Sequence, residues 1–167
     1  MLYTSAEADK LLKKLRTEEE FILNKEAQSS FFNAAVGEDV ESVRPDYDFE
    51  ESTMKLDIIR QKIRKVKHAI NMFNVTTKID DMTIDEVLVL LPQLRSRVAT
   101  LASMASAQPK VRVRAYGSGT TSIVDYKYAN FDVAAVKREF DCVSEKLAHL
   151  QVELDKVNST EMFDIDM

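Results

Sequence analysis

The stretch Leu56-Asp57-Ile58-Ile59-Arg60-Gln61-Lys62-Ile63-Arg64-Lys65-Val66-Lys67-His68-Ala69-Ile70-Asn71-Met72-Phe73 decides how the rest of the chain is read. Leu56, Ile59, Ile63, Val66, Ile70 and Phe73 follow one another at spacings of 3, 4, 3, 4 and 3. A helix turns once in 3.6 residues, so this spacing keeps all six side chains on one stripe. The residues between them are mainly charged. The stretch therefore predicts a helix that buries one face against other helices. Asn74-Val75-Thr76-Thr77 ends it with β-branched and capping residues.

The same ladder recurs twice downstream. Ile84, Val87, Leu91, Leu94, Val98 and Leu101 form one seam, opened by Thr83 and Glu86 at capping-box spacing. Pro92 falls inside it, removes one backbone bond and crowds the preceding turn, at a cost of roughly 3 kcal/mol. The phase survives across Pro92, which predicts a kink rather than a break. Val133, Val136, Phe140, Val143, Leu147, Leu150, Leu154 and Val157 form the longest seam, with Asp132 as N-cap. That helix would extend roughly 40 Å at about 1.5 Å per residue.

Upstream, Thr4 and Glu7 have capping-box spacing, and Ala8, Leu11, Leu12, Leu15 and Ile22 follow with helical period. Glu18, Glu19 and Glu20 dilute that stripe. Asn33 to Asp48 holds Gly37, Pro45 and several acids without period and reads as a long connecting loop. Between Pro109 and Phe131 the period changes to two. Val111 and Val113 alternate with Arg112 and Arg114, Gly117-Ser118-Gly119 supplies a turn, and Asp125 and Lys127 alternate with Tyr126 and Tyr128. A lone two-stranded hairpin is marginal in water, so it must lean on helices or on a neighbouring subunit.

The expected fold is mainly α: long antiparallel, heptad-patterned helices in a coiled-coil or bundle arrangement with one inserted β-hairpin. A single domain over 1–167 is expected, with helices at about 4–30, 49–74, 83–107 and 132–158 and the hairpin at about 110–129. Only 3 Gly and 3 Pro among 167 residues agree with few turns and long helices.

Composition narrows the function classes. The net charge of −5 lacks the basic footprint of a nucleic-acid binder, so nucleic acid is not an expected partner. The longest apolar run, Val87 to Leu91, is far below a membrane span of about 20 residues, so no membrane partner is expected. Met1 to Lys14 does not read as a secretory leader. Cys142 is the lone cysteine, which permits no internal disulfide and fits a reducing, cytoplasmic setting. Cys142 precedes seam residue Val143 and reads as a half-buried, inert thiol. His68 and His149 lie on different helices without an evident nucleophile. No phosphate loop, zinc spacing or nucleophile elbow appears. Catalysis, cofactors and metal are not expected.

If the last three helices run up, down and up, one pole gathers Asn71, Asn74, Thr76, Thr77, Thr83, Asp85, Asp155, Asn158 and Thr160. Asn71, Asn74, Thr76, Asp85, Asp155 and Asn158 are the candidate ligand-binding residues. Helix capping and register are the stronger reading of the same side chains. Asp81, Asp85 and Asp155 would be the carboxylates for a hard cation, without EF-hand spacing to support one. Arg112, Arg114, Tyr126 and Tyr128 are the candidate nucleic-acid residues, since bases stack on aromatics beside cations. Cross-strand aromatic pairs also stabilise a hairpin unaided. The basic run Arg60 to Lys67 surrounds its helix and reads as a solvated flank paired with acids.

The segments Ile70-Asn71-Met72-Phe73-Asn74-Val75-Thr76-Thr77, Met82-Thr83-Ile84-Asp85-Glu86, Phe131-Asp132-Val133 and Leu150 to Thr160, in that order, resemble a family of small bacterial helical proteins labelled septicolysin-like. That family's pattern is an Ile-Asn-x-x-Asn segment, a Thr-Leu-Thr-led helix and a terminal Leu-Asp-x-x-Ile-Gln-x-x-Asn-Trp-Thr. The resemblance covers roughly residues 50–160. Asn158 and Thr160 match it, whereas Ser159 stands where the family usually has Trp. The resemblance implies a helical hairpin or bundle with an inserted β-hairpin and no established catalytic residues. Its toxin-like label implies pore formation, which this sequence does not support. The expected role is a homo-oligomeric helical scaffold. An anionic-partner or nucleic-acid binder and a small-ligand or metal binder are the alternatives.

Overall fold

A computed structural model describes residues 1–113 and 125–166. The chain is mainly helical, and it divides into two compact units.

The first unit comprises Met1–Thr77 and Lys156–Met167. It holds β1 (Leu2–Thr4), α1 (Ser5–Ser29), α2 (Val40–Val43) and α3 (Phe49–Thr76). α1 starts where the capping box requires. Thr4 Oγ1 accepts from the Glu7 N–H at 3.3 Å, and the Glu7 carboxylate accepts from the Thr4 N–H at 2.9 Å. α3 starts at Asp48, whose carboxylate accepts from the Glu51 N–H at 2.9 Å. The two long helices lie side by side with opposite chain direction. Ala8, Leu12 and Leu15 cluster with Val66 near the end of α3, while Glu19 pairs with Arg60 further back along it. Leu11, Ile63 and Ile70 border that cluster. Each buried Leu or Val side chain there stabilises the pair by about 1.5–3 kcal/mol.

The second unit is Lys78–Asp155. It contains β2 (Lys78–Ile79), β3 (Met82–Thr83), α4 (Ile84–Ala105), β4 (Lys110–Val113), β5 (Asp125–Tyr128) and most of α5 (Val133–Thr160). The Thr83–Glu86 capping box forms at 3.3 and 2.7 Å. The Asp132 carboxylate accepts from the Ala134 N–H at 2.8 Å and so caps α5. Leu101, late in α4, packs with Val136 and Val143, early in α5, so these helices also run in opposite directions. α4 continues through Pro92 without interruption.

Every residue of the three downstream ladders is buried or half-buried. The partner of α3 in the first unit is α1, and the partner of α4 in the second is α5.

Three antiparallel strand pairs occur among the described residues, where the sequence predicts one hairpin. The expected pair is β4 with β5, in the register Lys110↔Tyr128, Val111↔Lys127, Arg112↔Tyr126 and Val113↔Asp125. Arg114 and the turn Gly117-Ser118-Gly119 lie outside the described residues. The second pair is β2 with β3, closed by Asp80-Asp81. Asp80 takes φ 52°, a left-handed conformation that Asp tolerates better than most side chains. The third joins β1 to β6 (Met162–Asp164), pairing segments at opposite ends of the sequence. After β6, Ile165 is 1% exposed within the Ala8–Leu12–Leu15–Val66 cluster. Phe163 stacks on Phe73 with ring centroids 4.6 Å apart. The tail therefore covers the end of the α1–α3 pair that carries Ala8. The expected loop after α1 contains the one-turn helix α2, capped by Asp39, which accepts from the Glu41 N–H at 3.1 Å.

Candidate functional site

The six candidate ligand residues divide between the units. Asn71, Asn74, Thr76 and Asn158 belong to the first, and Asp85 and Asp155 to the second. Asn71, Thr76, Asp85 and Asp155 are exposed, and Asn74 and Asn158 are half-buried. Where their neighbours' hydroxyl bonds are seen, they serve the backbone of a helix end. Thr76 Oγ1 donates to the Met72 carbonyl at 2.7 Å, and Thr160 Oγ1 donates to that of Lys156 at 2.8 Å. Thr83 is occupied by its capping box. Among the described residues no three His, Cys, Asp or Glu side chains are grouped to hold a metal ion.

Glu7 and Glu86 have carboxyls held below the usual range, first by the backbone N–H groups of Thr4 and Thr83 and then by those residues' hydroxyls. These shifts belong to helix starts rather than to a reactive site. His149 Nε2 lies 3.1 Å from an Asp80 carboxylate oxygen at the β2–β3 turn. Cys142 is exposed, where the sequence places it half-buried. It falls one position off the seam, and on this helix one position is enough to leave the core face.

The hairpin brings three of its four sequence candidates together. Opposed positions in an antiparallel pair share a face, so Arg112 and Tyr126 lie on the same side as Lys110 and Tyr128. The sequence reading missed Lys110, although it alternates in phase with Arg112. Its Nζ sits 4.0 Å from the centroid of the Tyr126 ring and 5.3 Å from that of Tyr128. Of the basic run on α3, Arg60 is hydrogen-bonded to Glu19 at 2.8 Å, and Lys65 lies 3.7 Å from Asp166.

An apolar opening of the first unit lies elsewhere, between α1 and α3 at the end away from Ala8. It is a groove of about 500 Å³ whose floor is Ile22 and Ile59 and whose walls are Phe21 and Ile58. Phe21 is 72% exposed and Ile58 53%. Glu18 stands on its α1 side and Lys55 on its α3 side. Met54 and Phe49, further toward the start of α3, are also open to solvent. Exposed apolar side chains rimmed by charged ones make this opening a candidate interaction surface. The sequence did carry a signal for it. In the apolar doublets Phe21-Ile22 and Ile58-Ile59 the second residue is on the seam and the first beside it, and a doublet widens the stripe beyond one partner helix.

No described helix is long and apolar enough to cross a membrane. No model of a known protein family matches the chain, and no curated protein matches it either. Among solved structures, it is similar to a functionally unknown conserved protein from Corynebacterium diphtheriae, at 14% identity and a TM-score of 0.59. The match covers 98% of this chain and 100% of that one, so the likeness is of fold along the whole length.

Proposed function

We propose that this chain is a self-associating helical scaffold that works by assembly rather than by catalysis. Its heptad-patterned helices form coiled-coil or bundle contacts between copies. The observation that carries the reading is the open groove between α1 and α3, with Phe21 and Ile58 as its exposed walls. A second copy is the occupant that fits. Paired copies related by a two-fold axis present the same patch to each other, so the patch must complement itself. The rim carries both signs, Glu18 beside Lys14 at 3.9 Å on α1 and Lys55 beside Glu51 at 2.6 Å on α3, so around its apolar centre the patch can complement itself. Covering the groove also extends the α1–α3 ladder into a continuous core, as helical hairpins do when they pair into bundles. Membership of the septicolysin-like family is part of this proposal, because the resemblance implies the same helical plan without catalytic residues.

Light scattering coupled to gel filtration tests the reading. The expected mass is a multiple of the 19.0 kDa chain, reduced by Phe21→Glu and by Ile58→Glu while far-ultraviolet dichroism keeps its helical form. A wild-type protein that is monomeric at every accessible concentration refutes it.

A further inference from the structure

We infer that a second copy of the chain docks its acidic, phenylalanine-bearing segment between Ser30 and Glu51 on the cationic and aromatic face of the β4–β5 hairpin. The inference rests on the self-association reading and adds to it a second contact, distinct from the groove. Two observations carry it, one from each surface.

The first is a separation of charge. Between Ser30 and Glu51 the chain carries seven acidic side chains against one base, Arg44, and of the seven Glu51 is paired with Lys55 beyond the segment at 2.6 Å. Arg44 is already satisfied within the segment, bonded to both carboxylate oxygens of Glu41 at 2.7 and 2.9 Å. The described strands of the hairpin show the reverse balance, with Lys110, Arg112 and Lys127 against Asp125. Outside these two regions the sequence is nearly neutral, so its charge asymmetry is concentrated in them. Surfaces of opposite sign attract at a distance and set register on contact.

The second is matched apolar content. The segment holds Phe31 at 90% exposure and Phe49 at 65%. On the hairpin, Tyr126 and Tyr128 are exposed beside Lys110 and Arg112. Aromatic side chains bearing nearby charges favour interfaces, where ring contacts gain from exclusion of water. The segment is also held in place for presentation. The Tyr47 hydroxyl donates to Glu26 of α1 at 2.9 Å, and Asp48 caps α3. Gly37 turns the chain at φ +89°, a conformation that side chains other than glycine rarely adopt.

The segment of one copy meets the hairpin of another, so the contact is head-to-tail. Such a contact leaves a free segment and a free hairpin on each pair, and so propagates until a ring closes. Together with a two-fold groove contact it would build assemblies larger than a dimer.

The test uses the full chain carrying two charge reversals. One variant is Lys110→Glu with Arg112→Glu. The other is Asp46→Lys with Glu50→Lys, positions that cap no helix. Each variant alone is expected to lose assembly mass at low salt. An equimolar mixture of the two is expected to recover a hetero-assembly, because the reversed surfaces again complement each other. Raising salt is expected to lower the wild-type mass, since exposed charges are screened beyond a Debye length of about 8–10 Å at physiological strength. Unchanged mass in both variants, or no recovery on mixing, overturns the inference and leaves the groove reading intact. A monomeric wild type overturns the self-association reading itself. Binding of wild type, but not of the hairpin variant, to a labelled single-stranded oligodeoxythymidylate would assign the face to nucleic acid and overturn the inference as well.

Discussion

The two ends of the α1–α3 pair are built from the same kinds of residue and end in different states. At one end Ala8 and Val66 are completely buried, and Leu12 and Leu15 nearly so, because Ile165 and Phe163 fold over them after β6 pairs with β1. At the other end Ile22 and Ile59 continue the pattern, but no described segment of the first unit covers them, and Phe21 and Ile58 stand open. A heptad ladder specifies that a face will be buried and leaves open what buries it. Here the described residues of the first unit supply a cover at the Ala8 end. The open end is where burial has most to add, since each large apolar side chain removed from water contributes about 1.5–3 kcal/mol.

The largest expected contrast is between core and groove. Leu12→Ala should destabilise the chain by about 2–5 kcal/mol in urea unfolding, because it leaves a cavity under the tail. Phe21→Ala, measured on the monomeric chain, should change stability by no more than about 0.5 kcal/mol, since the ring has little to lose. A comparable loss at both positions would mean that the groove is core in the isolated chain.

The helix starts come next. Thr4→Ala and Thr83→Ala should each cost about 0.5–2 kcal/mol, because each hydroxyl satisfies a first-turn N–H and orients the reciprocal glutamate. Thr4→Ala should be the more damaging of the two. Thr4 is buried at the start of α1 and pairs with Met162 across β1–β6, so its loss also disturbs the strand that leads to the tail.

Glu7 and Glu86 make the same contrast visible through pH. Their folded-state pKa values lie below the ordinary carboxylate range, so their contribution is complete above the unfolded pKa and is lost as pH falls through the depressed folded value. Melting temperatures recorded from neutral to acid pH should therefore fall less steeply for Glu7→Gln and Glu86→Gln than for wild type. An identical acid slope would show that the caps do not discriminate the charged glutamate.

The smallest effect is expected at the Glu19–Arg60 pair, which bridges the helices midway between the two ends. Both side chains are partly exposed, and Arg60→Ala should cost less stability than either cap substitution. A larger loss would extend the closed core further toward the groove.

Much of this fold was legible in the sequence. The four long helices, both capping boxes, the Asp132 cap and the β4–β5 hairpin follow from local spacing, because their bonds join residues a few positions apart. Pairing was not legible. The seams of α3, α4 and α5 fix the buried faces, yet nothing in the Leu56–Phe73 ladder names α1 as its partner. The β1–β6 pair could not be read either, since three residues at each end carry too short an alternation to stand out, and their contact spans nearly the whole chain. The Asp80-Asp81 turn carried a faint signal, two turn-forming residues between short strand-like pairs, masked by the helix ends on either side. Among candidate sites, alternation put Arg112 on one strand and Tyr126 and Tyr128 on the other, but the register that sets Arg112 opposite Tyr126 is not a property of either strand alone. The groove was missed because its walls, Phe21 and Ile58, sit beside the seam positions rather than on them.

The most direct measurement of the central claim is hydroxyl-radical footprinting of the wild-type chain over a dilution series. Leu12, under the tail, should stay protected at every concentration. Phe21 and Met54 should be protected when the protein is concentrated and become reactive as it is diluted. Equal reactivity of Phe21 and Met54 across the whole series would contradict self-association through the groove.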